Sequence, residues 1–273
     1  MTVSVAFQGE RGAFSEAAAI KYFGNGVKPV PLPSFEEVFA AVHDGQCVYG
    51  IVPIENSLAG SIHRNYDLLV RHNLHIVGEV NLRIIHCLIV NPGVTLKEIK
   101  RVYSHPQALA QCEGSITQIG AEPFPTYDTA GAVRFIKEQA VTDGAAIASR
   151  QAAVDWEMDV LQEGMEDWGE NLTRFLVLSP KEEVPESDAK TSIVFAMKDV
   201  PGALFKALSV FALRDINLTK IESRPLRGQP WQYLFYLDFE GTMAEERCQR
   251  AIGHLGEITS YFRLLGSYSA ATE

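Results

Sequence analysis

Short apolar runs alternate with helix-like stretches over the first 180 residues of the chain. The runs at residues 3–7, 49–54, 75–80, 83–90, 145–148 and 175–178 have the pattern of buried strands. Between them, Ser34 and Glu37 form a capping box before an amphipathic stretch to His43, and Thr95 with Glu98 predicts another helix start. Strands that alternate with helices predict an α/β fold, with a parallel or mixed sheet covered on both faces.

The pattern changes after residues 180–189, which hold two prolines, four acidic residues and few apolar ones. We interpret this segment as a solvated linker between a domain at 1–179 and a second domain at 190–273. The second domain shows the order strand, helix, strand, strand, helix, strand. That order predicts a ferredoxin-like βαββαβ fold.

The composition is that of a globular protein, since 47% of the residues are hydrophobic and 21% are charged. Asp and Glu outnumber Lys and Arg by 34 to 24, which gives a formal net charge of −10. Nucleic acids and anionic membranes attract basic surfaces, so neither is an expected partner. An anionic small molecule could bind only at a local basic or N–H-rich site.

Four scattered cysteines indicate a reducing compartment, because no CxxC pair occurs among Cys47, Cys87, Cys112 and Cys248. The first residues lack the pattern of a signal peptide, and no apolar run is long enough to span a bilayer. We therefore expect a cytoplasmic protein. The sequon at Asn171 then needs an explanation other than glycosylation.

The common motifs for nucleotides, dinucleotides, zinc hydrolysis and serine hydrolysis are missing from the sequence. His72 and His75 are spaced for a metal pair, but no third ligand is evident, so we expect no metal. Four polar clusters instead follow or precede strands, at residues 8–15, 55–57, 104–107 and 173–175. Strand ends of an open α/β sheet, with nearby helix N-termini, are where anionic ligands bind.

Arg174 has the side chain best suited to a carboxylate, because its planar guanidinium can donate two parallel hydrogen bonds. Each cluster also has a simpler interpretation as a turn or a helix cap. Arg174 itself could be the partner in a structural ion pair. The sequence leaves these alternatives open.

The fragments FQGERGAFSEAA, YGIVPIENSLAG, YSHPQALAQC and NLTRFLVL resemble those of prephenate dehydratase. The tripeptide 202–204 and the segment 222–225 resemble the regulatory ACT domain of the same family. The resemblance covers essentially the whole chain. It implies a two-lobed, type II periplasmic-binding-protein-like catalytic domain, with lobe one at about 1–80 plus 161–179 and lobe two at about 81–160. Phe14 stands where many members of the family have tyrosine. The sequence shows no added mutase domain, so we expect a monofunctional enzyme.

The resemblance implies conversion of prephenate to phenylpyruvate with loss of water and carbon dioxide, in phenylalanine biosynthesis and without cofactor or metal. Thr173 would hydrogen-bond the departing hydroxyl, and Arg174 and the strand-end N–H groups would hold the carboxylates. Glu55 would either donate a proton or orient its neighbours, and we favour orientation. The expected substrate contacts are Gln8, Gly9, Ser15, Asn56, Ser57, Ser104, His105, Gln107 and Phe175.

The resemblance also implies feedback inhibition by phenylalanine bound between paired ACT domains, in a homodimer or dimer of dimers. The expected effector contacts are Gly202, Ala203, Leu204, Asn217, Glu222, Ser223, Arg224 and Pro225. Three alternatives remain: arogenate as the substrate, a non-catalytic amino-acid sensor, and an ACT-like domain that only dimerises. The intact clusters at 55–57 and 173–175 count against the sensor. Nucleic-acid binding by the ferredoxin-like domain lacks the necessary aromatic pattern and basic face.

Overall fold

Three β-sheets organise the chain in this computed structural model, which describes residues 2–185, 188–226 and 228–271. The strands of the first sheet are β1 (Ser4–Gln8), β2 (Lys28–Leu32), β3 (Tyr49–Asn56), β4 (Gly60–Ser61), β5 (His75–Arg83) and β11 (Leu172–Ser179). Their order is β2-β1-β3-β11-β5, and β4 pairs with β3. The helices of this lobe are α1 (Phe14–Phe23), α2 (Phe35–His43) and α3 (His63–Arg71).

The second sheet has five strands: β6 (Cys87–Val90), β7 (Arg101–Ser104), β8 (Glu122–Pro125), β9 (Gly144–Ala148) and β10 (Asp159–Glu163). Their order is β10-β6-β9-β7-β8. The helices of this lobe are α4 (Pro106–Gln111), α5 (Glu113–Ile119), α6 (Thr129–Glu138) and α7 (Arg150–Asp155).

Both lobes share one topology. In each, three neighbouring strands are parallel, and the next strand, β11 in the first lobe and β6 in the second, is antiparallel to both of its neighbours. The chain passes between the lobes at residues 84–86 and again at 164–171. This is the two-lobed arrangement that the family resemblance implies. Strand β10 pairs within the second sheet, so the chain returns after residue 163 rather than near 161.

Of the two capping boxes in the sequence, one precedes a helix as predicted and the other does not. Ser34 caps α2, because its hydroxyl accepts a hydrogen bond from the backbone N–H of Glu37 at 3.3 Å. The box at Thr95 and Glu98 closes only a three-residue 3-10 turn, Leu96–Glu98, so the longer helix predicted there is wrong. The turn stops because Ile99 enters the core of the second lobe just before β7.

The third sheet contains β12 (Ala189–Ala196), β13 (Leu218–Pro225), β14 (Tyr233–Glu240) and β15 (Tyr261–Ser269), in the order β13-β14-β12-β15. Helices α8 (Ala203–Ala212) and α9 (Glu246–Ile258) share one core with this sheet. The order β12-α8-β13-β14-α9-β15 confirms the predicted ferredoxin-like fold of the C-terminal domain.

The C-terminal domain packs on the first lobe through the sheet face that its helices leave open. Tyr236 and Tyr268 of this face share a core with Leu68 and Ile76. The contact is so close at Gly266 that a Cβ there would lie 2.1 Å from the carbonyl oxygen of Ile76. Only glycine therefore permits this docking.

The linker predicted at residues 180–189 contacts both domains where it is described. Its residues 186 and 187 lie outside the described residues. Glu183 accepts a hydrogen bond from the Tyr49 hydroxyl at 3.0 Å, and the Pro185 carbonyl accepts one from Thr242 at 2.8 Å. In the part of the chain that the structure describes, no helix is long and apolar enough to cross a membrane.

Candidate active site

A cavity of about 510 Å³ lies between the two lobes. Strands β1, β3 and β11 of the first lobe and the N-terminal ends of α1, α4 and α6 border it. Eight of the expected catalytic and substrate-binding residues line this cleft: Gln8, Gly9, Ser15, Asn56, His105, Gln107, Thr173 and Phe175. The structure thus brings together polar clusters that are up to about 165 residues apart in the sequence.

Asn56 holds the hydroxyl of Thr173 in one orientation. The Asn56 amide donates to Thr173 Oγ1 at 2.9 Å, while the Asn56 Oδ1 accepts the backbone N–H groups of Leu58 and Ala59 at 3.0 and 2.9 Å. Thr173 is 7% exposed. Because Thr173 Oγ1 accepts from Asn56, its own hydrogen is free to be donated into the cleft.

A buried chain of polar groups extends from Asn56 to the crossing between the lobes. Asn56 donates to Asn171 at 2.6 Å, Asn171 donates to Gln111 Oε1 at 3.1 Å, and His86 Nε2 lies 3.1 Å from the same oxygen. Burial lowers the pKa of His86, so its imidazole is neutral near pH 7. The sequon noted at Asn171 is therefore part of a buried network, since Asn171 is fully buried.

Two helix N-termini point towards the cleft with different caps. Ala13 precedes α1 and offers no side-chain cap, so the first N–H groups of this helix, at Phe14 and Ser15, have no such partner. His105 caps α4, and its Nδ1 accepts from the Gln107 N–H at 3.2 Å. Burial lowers the pKa of His105, which keeps the ring neutral and Nδ1 available as an acceptor.

Asp128 is a cleft residue that the sequence did not indicate. Its carboxylate caps α6 by accepting the N–H of Gly131, and burial raises the pKa of Asp128. Asp128 is 8% exposed, and Oδ2 has no hydrogen-bond partner among the described residues. The preference for Asp at a helix N-cap was the signal that could have placed this residue at the start of α6.

Arg174 and Glu55 do not line the cleft, in contrast to their expected positions. Side chains alternate along a strand, so Arg174 lies on the face opposite its neighbour Thr173. Arg174 Nη1 donates to Glu55 at 3.0 Å, and Nε donates to Glu79 at 2.6 Å. The structure thus agrees with the alternative noted above, a structural ion-pair partner, and not with a substrate clamp.

The pKa of Glu55 argues against its role as a proton donor. Burial would raise this pKa, but the ion pairs with Lys220 and Arg174 outweigh burial and lower it. Glu55 is therefore ionised at neutral pH. The role favoured from the sequence, orientation of Asn56 and Arg174, stays a prediction, and the ion pair with Arg174 at 3.0 Å is consistent with it.

Two more of the expected substrate contacts lie outside the cleft. Ser57 is exposed, and its hydroxyl donates to the Glu170 carbonyl at 2.8 Å while accepting the N–H of Leu172 at 3.0 Å. Ser104 is fully buried and donates to the Ile147 carbonyl at 2.6 Å. Both hydroxyls hydrogen-bond to backbone groups near the site, and neither faces the cleft.

The expected effector residues divide into two groups. Gly202, Ala203 and Leu204 line a cavity of about 270 Å³ at the start of α8, together with Trp231 and Phe235. The others lie elsewhere: Asn217 donates to Glu240, Glu222 accepts from Ser61, Arg224 pairs with Asp67, and Ser223 and Pro225 are exposed on β13. Within this chain, the second group does not line the cavity because β13 turns Glu222 and Arg224 towards the first lobe.

The lobes also touch directly beside the cleft. Glu10 of the first lobe accepts hydrogen bonds from Tyr127 at 2.8 Å and Arg134 at 2.7 Å in the second. Within residues 2–185, 188–226 and 228–271, no three His, Cys, Asp or Glu side chains are grouped so that they could hold a metal ion.

Comparison with known families follows this division of the chain. The profile of the family described as prephenate dehydratase matches residues 5–183, and the profile of the ACT domain matches residues 191–247. The chain belongs to the prephenate dehydratase family. The resemblance, the enzyme class and the presence of a C-terminal ACT domain are thereby confirmed.

Named relatives agree with this assignment. Arogenate dehydratase/prephenate dehydratase 2, chloroplastic, from Arabidopsis thaliana is 50% identical over 281 residues, which cover 99% of this chain and 74% of the relative. The structure of prephenate dehydratase from Arthrobacter aurescens in complex with L-Phe is similar, with a TM-score of 0.91 and 32% identity over 98% of this chain and 90% of that one. GqqA, described as a novel type of quorum quenching acylase, has a TM-score of 0.90 and 36% identity over 98% of both chains.

Proposed function

We propose that the cleft of this prephenate dehydratase aromatises prephenate to phenylpyruvate, and that the Thr173 hydroxyl acts on the departing oxygen. The observation that carries this proposal is the hydrogen bond from Asn56 to Thr173 Oγ1, at 2.9 Å, on a side chain that lines the cleft. Because this oxygen accepts from Asn56, its own hydrogen is free to be donated. Thr173 therefore donates to a ligand and does not act as a base.

The reaction consumes one proton. The bond between the ring and its carboxylate breaks, and its electron pair enters the ring as CO₂ leaves. The C–OH bond at the opposite ring position breaks with its pair on oxygen, which takes up a proton and leaves as water. A donor at that oxygen lowers the barrier by positioned proton donation or hydrogen bonding, which is worth roughly 10²- to 10⁴-fold.

Backbone N–H groups, not Arg174, are positioned to bind the carboxylates of the substrate. The uncapped start of α1 presents the N–H groups of Phe14 and Ser15 at the cavity wall. The helix dipole adds a partial positive charge at the same place. Gln107 of the second lobe adds an amide to this wall, and Arg64 of α3, which also lines the cavity, adds a cationic side chain.

The substrate can be tested directly, since arogenate differs from prephenate by an ammonium group in place of the keto oxygen. Purified protein is assayed on prephenate and arogenate side by side, each with and without phenylalanine. We expect phenylpyruvate formation from prephenate and its suppression by phenylalanine. Turnover of arogenate alone would change the substrate and keep the chemistry, and turnover of neither would refute the proposal.

We propose further that phenylalanine binds at the cavity beside Gly202 and that two ACT domains pair there. Large apolar side chains surround this cavity in exposed positions: Phe205 is 76% exposed and Trp231 is 83% exposed. A surface of this kind on a single chain is typical of a protein interface. The second copy would then supply the remaining wall of the pocket.

Sedimentation of the protein with and without phenylalanine tests this pairing. We expect a dimer or larger assembly, and a Phe205→Glu variant that dissociates and loses phenylalanine binding. A wild-type monomer that binds phenylalanine with full affinity would refute the proposal. A cytoplasmic location stays a prediction, and the relative from Arabidopsis thaliana is described as chloroplastic.

A further inference from the structure

The active-site strands β3 and β11 present consecutive residues to two different sites. In their antiparallel register, Thr173 pairs with Asn56, and Arg174 pairs with Glu55. The first pair faces the cleft, and the second pair faces the ACT domain. Successive Cα atoms of a chain are about 3.8 Å apart, so a shift of the Arg174 backbone moves Thr173 as well.

The guanidinium of Arg174 is shared between the domains. Besides Glu55 and Glu79 of the first lobe, it donates to Asp238 Oδ2 at 2.7 Å and to the Tyr268 hydroxyl at 2.9 Å in the ACT domain. The Arg174 side chain is 11% exposed. Its planar fork fixes the direction of each of these bonds, so the two domains together determine where the guanidinium lies.

Opposite charges match across this boundary. The first lobe contributes Arg174, Glu55 and Glu79, with a sum of −1, and the ACT domain contributes Lys190, Lys220 and Asp238, with a sum of +1. The cluster is therefore neutral, as a buried group of charges must be.

The ACT side of the cluster is itself held in place. The Ser192 hydroxyl donates to Asp238 Oδ1 at 2.6 Å and lies 2.6 Å from the Tyr268 hydroxyl. These three residues lie on three different strands of the ACT sheet, β12, β14 and β15. A change in the packing of that sheet therefore reaches Arg174 through two hydrogen bonds at once.

We propose that Arg174 is a positioning residue through which Asp238 and Tyr268 of the ACT domain set the place of the Thr173 hydroxyl in the cleft. The inference rests on the proposed role of Thr173. It assigns a part in turnover to two ACT residues that do not touch the cleft, and it makes the ACT domain a structural component of the catalytic site. It also means that a change in the packing of the ACT domain can shift Thr173 through Arg174.

The test uses Asp238→Asn and Tyr268→Phe in the full-length protein. The matched control is Arg263→Gln, because Arg263 also bonds across the domain boundary, to the carbonyls of Leu69 and Leu74 at 2.9 and 2.8 Å, without touching β3 or β11. All variants are measured well below their melting temperatures, so that only folded protein is compared.

We expect kcat to fall about tenfold to a hundredfold in Asp238→Asn, and less in Tyr268→Phe, with KM within about threefold of wild type. A displacement of about 1 Å at a reacting group has an effect of this size. In Arg263→Gln, kcat stays at the wild-type value even if stability falls. If Asp238→Asn does not fold, the milder Tyr268→Phe variant decides the outcome.

A double-mutant cycle with Arg174→Gln tests whether Asp238 acts on turnover through Arg174 or independently of it. If Asp238 acts through Arg174, adding Asp238→Asn to Arg174→Gln lowers kcat little further. Additive effects, wild-type kcat in both ACT variants, or an equal loss in Arg263→Gln would overturn the proposal. So would Arg174→Gln with raised KM and unchanged kcat, which indicates direct substrate binding. Near-normal turnover by Thr173→Ala would instead refute the proposed function itself.

Discussion

Gly12 of the first lobe lies against Ala152 of the second, so closely that a Cβ on Gly12 would come within 2.5 Å of the Ala152 Cα. The Gly12 carbonyl also accepts a hydrogen bond from Ser149 at 2.5 Å. This contact joins the lobes immediately before α1, whose N-terminus lines the cleft. The width of the cleft therefore depends on the absence of a side chain at one position.

A Gly12→Ala variant should weaken substrate binding by keeping the lobes apart. The added methyl group meets backbone, which cannot move aside as a flexible side chain can, so we expect KM to rise about tenfold or more. The measurement is steady-state kinetics together with thermal unfolding.

Gly24→Ala is the control, because Gly24 has nearly the same backbone angle, φ +79° against +81°, and open space around it. With ψ at 177°, Gly24 lies in a region that other residues rarely adopt, so that variant should lose about 1–3 kcal/mol of stability while its KM stays at the wild-type value. Equal KM values in the two variants would show that the lobe contact has no part in binding.

A Thr173→Ala variant should lose about 10²- to 10⁴-fold in kcat, because it removes the hydroxyl that donates to the departing oxygen. Thr173→Ser keeps the hydroxyl and should recover much of the rate. Single-turnover kinetics on prephenate distinguish the two. Equal rates in the alanine and serine variants would show that the hydroxyl is not used.

An Asn56→Asp variant should reverse the hydrogen bond to Thr173. A carboxylate has no N–H to donate, so the Thr173 hydroxyl would turn and donate to Asp at position 56. We expect kcat to fall about tenfold or more at pH 7, with partial recovery at low pH as that carboxylate is protonated. A flat pH profile with wild-type kcat would contradict the assigned direction of this bond.

Acid should weaken the docking of the ACT domain. The pKa of Glu79 lies below its ordinary 4.5, because the attraction of Arg174 and Lys190 outweighs the effect of burial. The stabilisation from this ionised group is complete above about pH 4.5 and is lost as the pH falls through the lowered value. Unfolding measured from pH 7 to pH 3 should show this loss.

The same measurement on Glu79→Gln supplies the comparison. The Glu79 side chain is only 1% exposed, and its neutralisation takes the acidic partner from Lys190 and one of three from Arg174, so it should cost about 3–5 kcal/mol at pH 7. The dependence of stability on pH below 4.5 should then be shallower than in the wild type. An unchanged dependence would place the acid-sensitive group elsewhere.

The sequence indicated the strand ends correctly, but it did not show which side chains face the cleft. Thr173, Arg174 and Phe175 form one polar and aromatic cluster in the sequence, yet a strand turns the middle residue to the opposite face. The bulge between Arg174 and Phe175 in the pairing with β3 is equally invisible in the sequence. Gln111 and His86 were missed because their roles depend on contacts between distant segments.

Four strands of the catalytic domain were also missed, β2, β4, β8 and β10, two of them for one reason. Strand β2 holds Pro29 and Pro31, and β8 holds Pro123 and Pro125. Proline interrupts the apolar pattern of a strand, but it is tolerated at a sheet edge, where one side needs no donor. Each of these strands is the outer strand of its lobe, next to β1 or β7.

The division of β11 between two sites has a consequence for protein engineering. A chimera that receives its ACT domain from another family member inherits new side chains opposite Arg174. Unless the donor supplies an acid where this chain has Asp238 and a phenol where it has Tyr268, the graft leaves the buried guanidinium without two of its four partners. The ACT domain therefore cannot be exchanged alone. Residues on both sides of the Arg174 contact must be exchanged together.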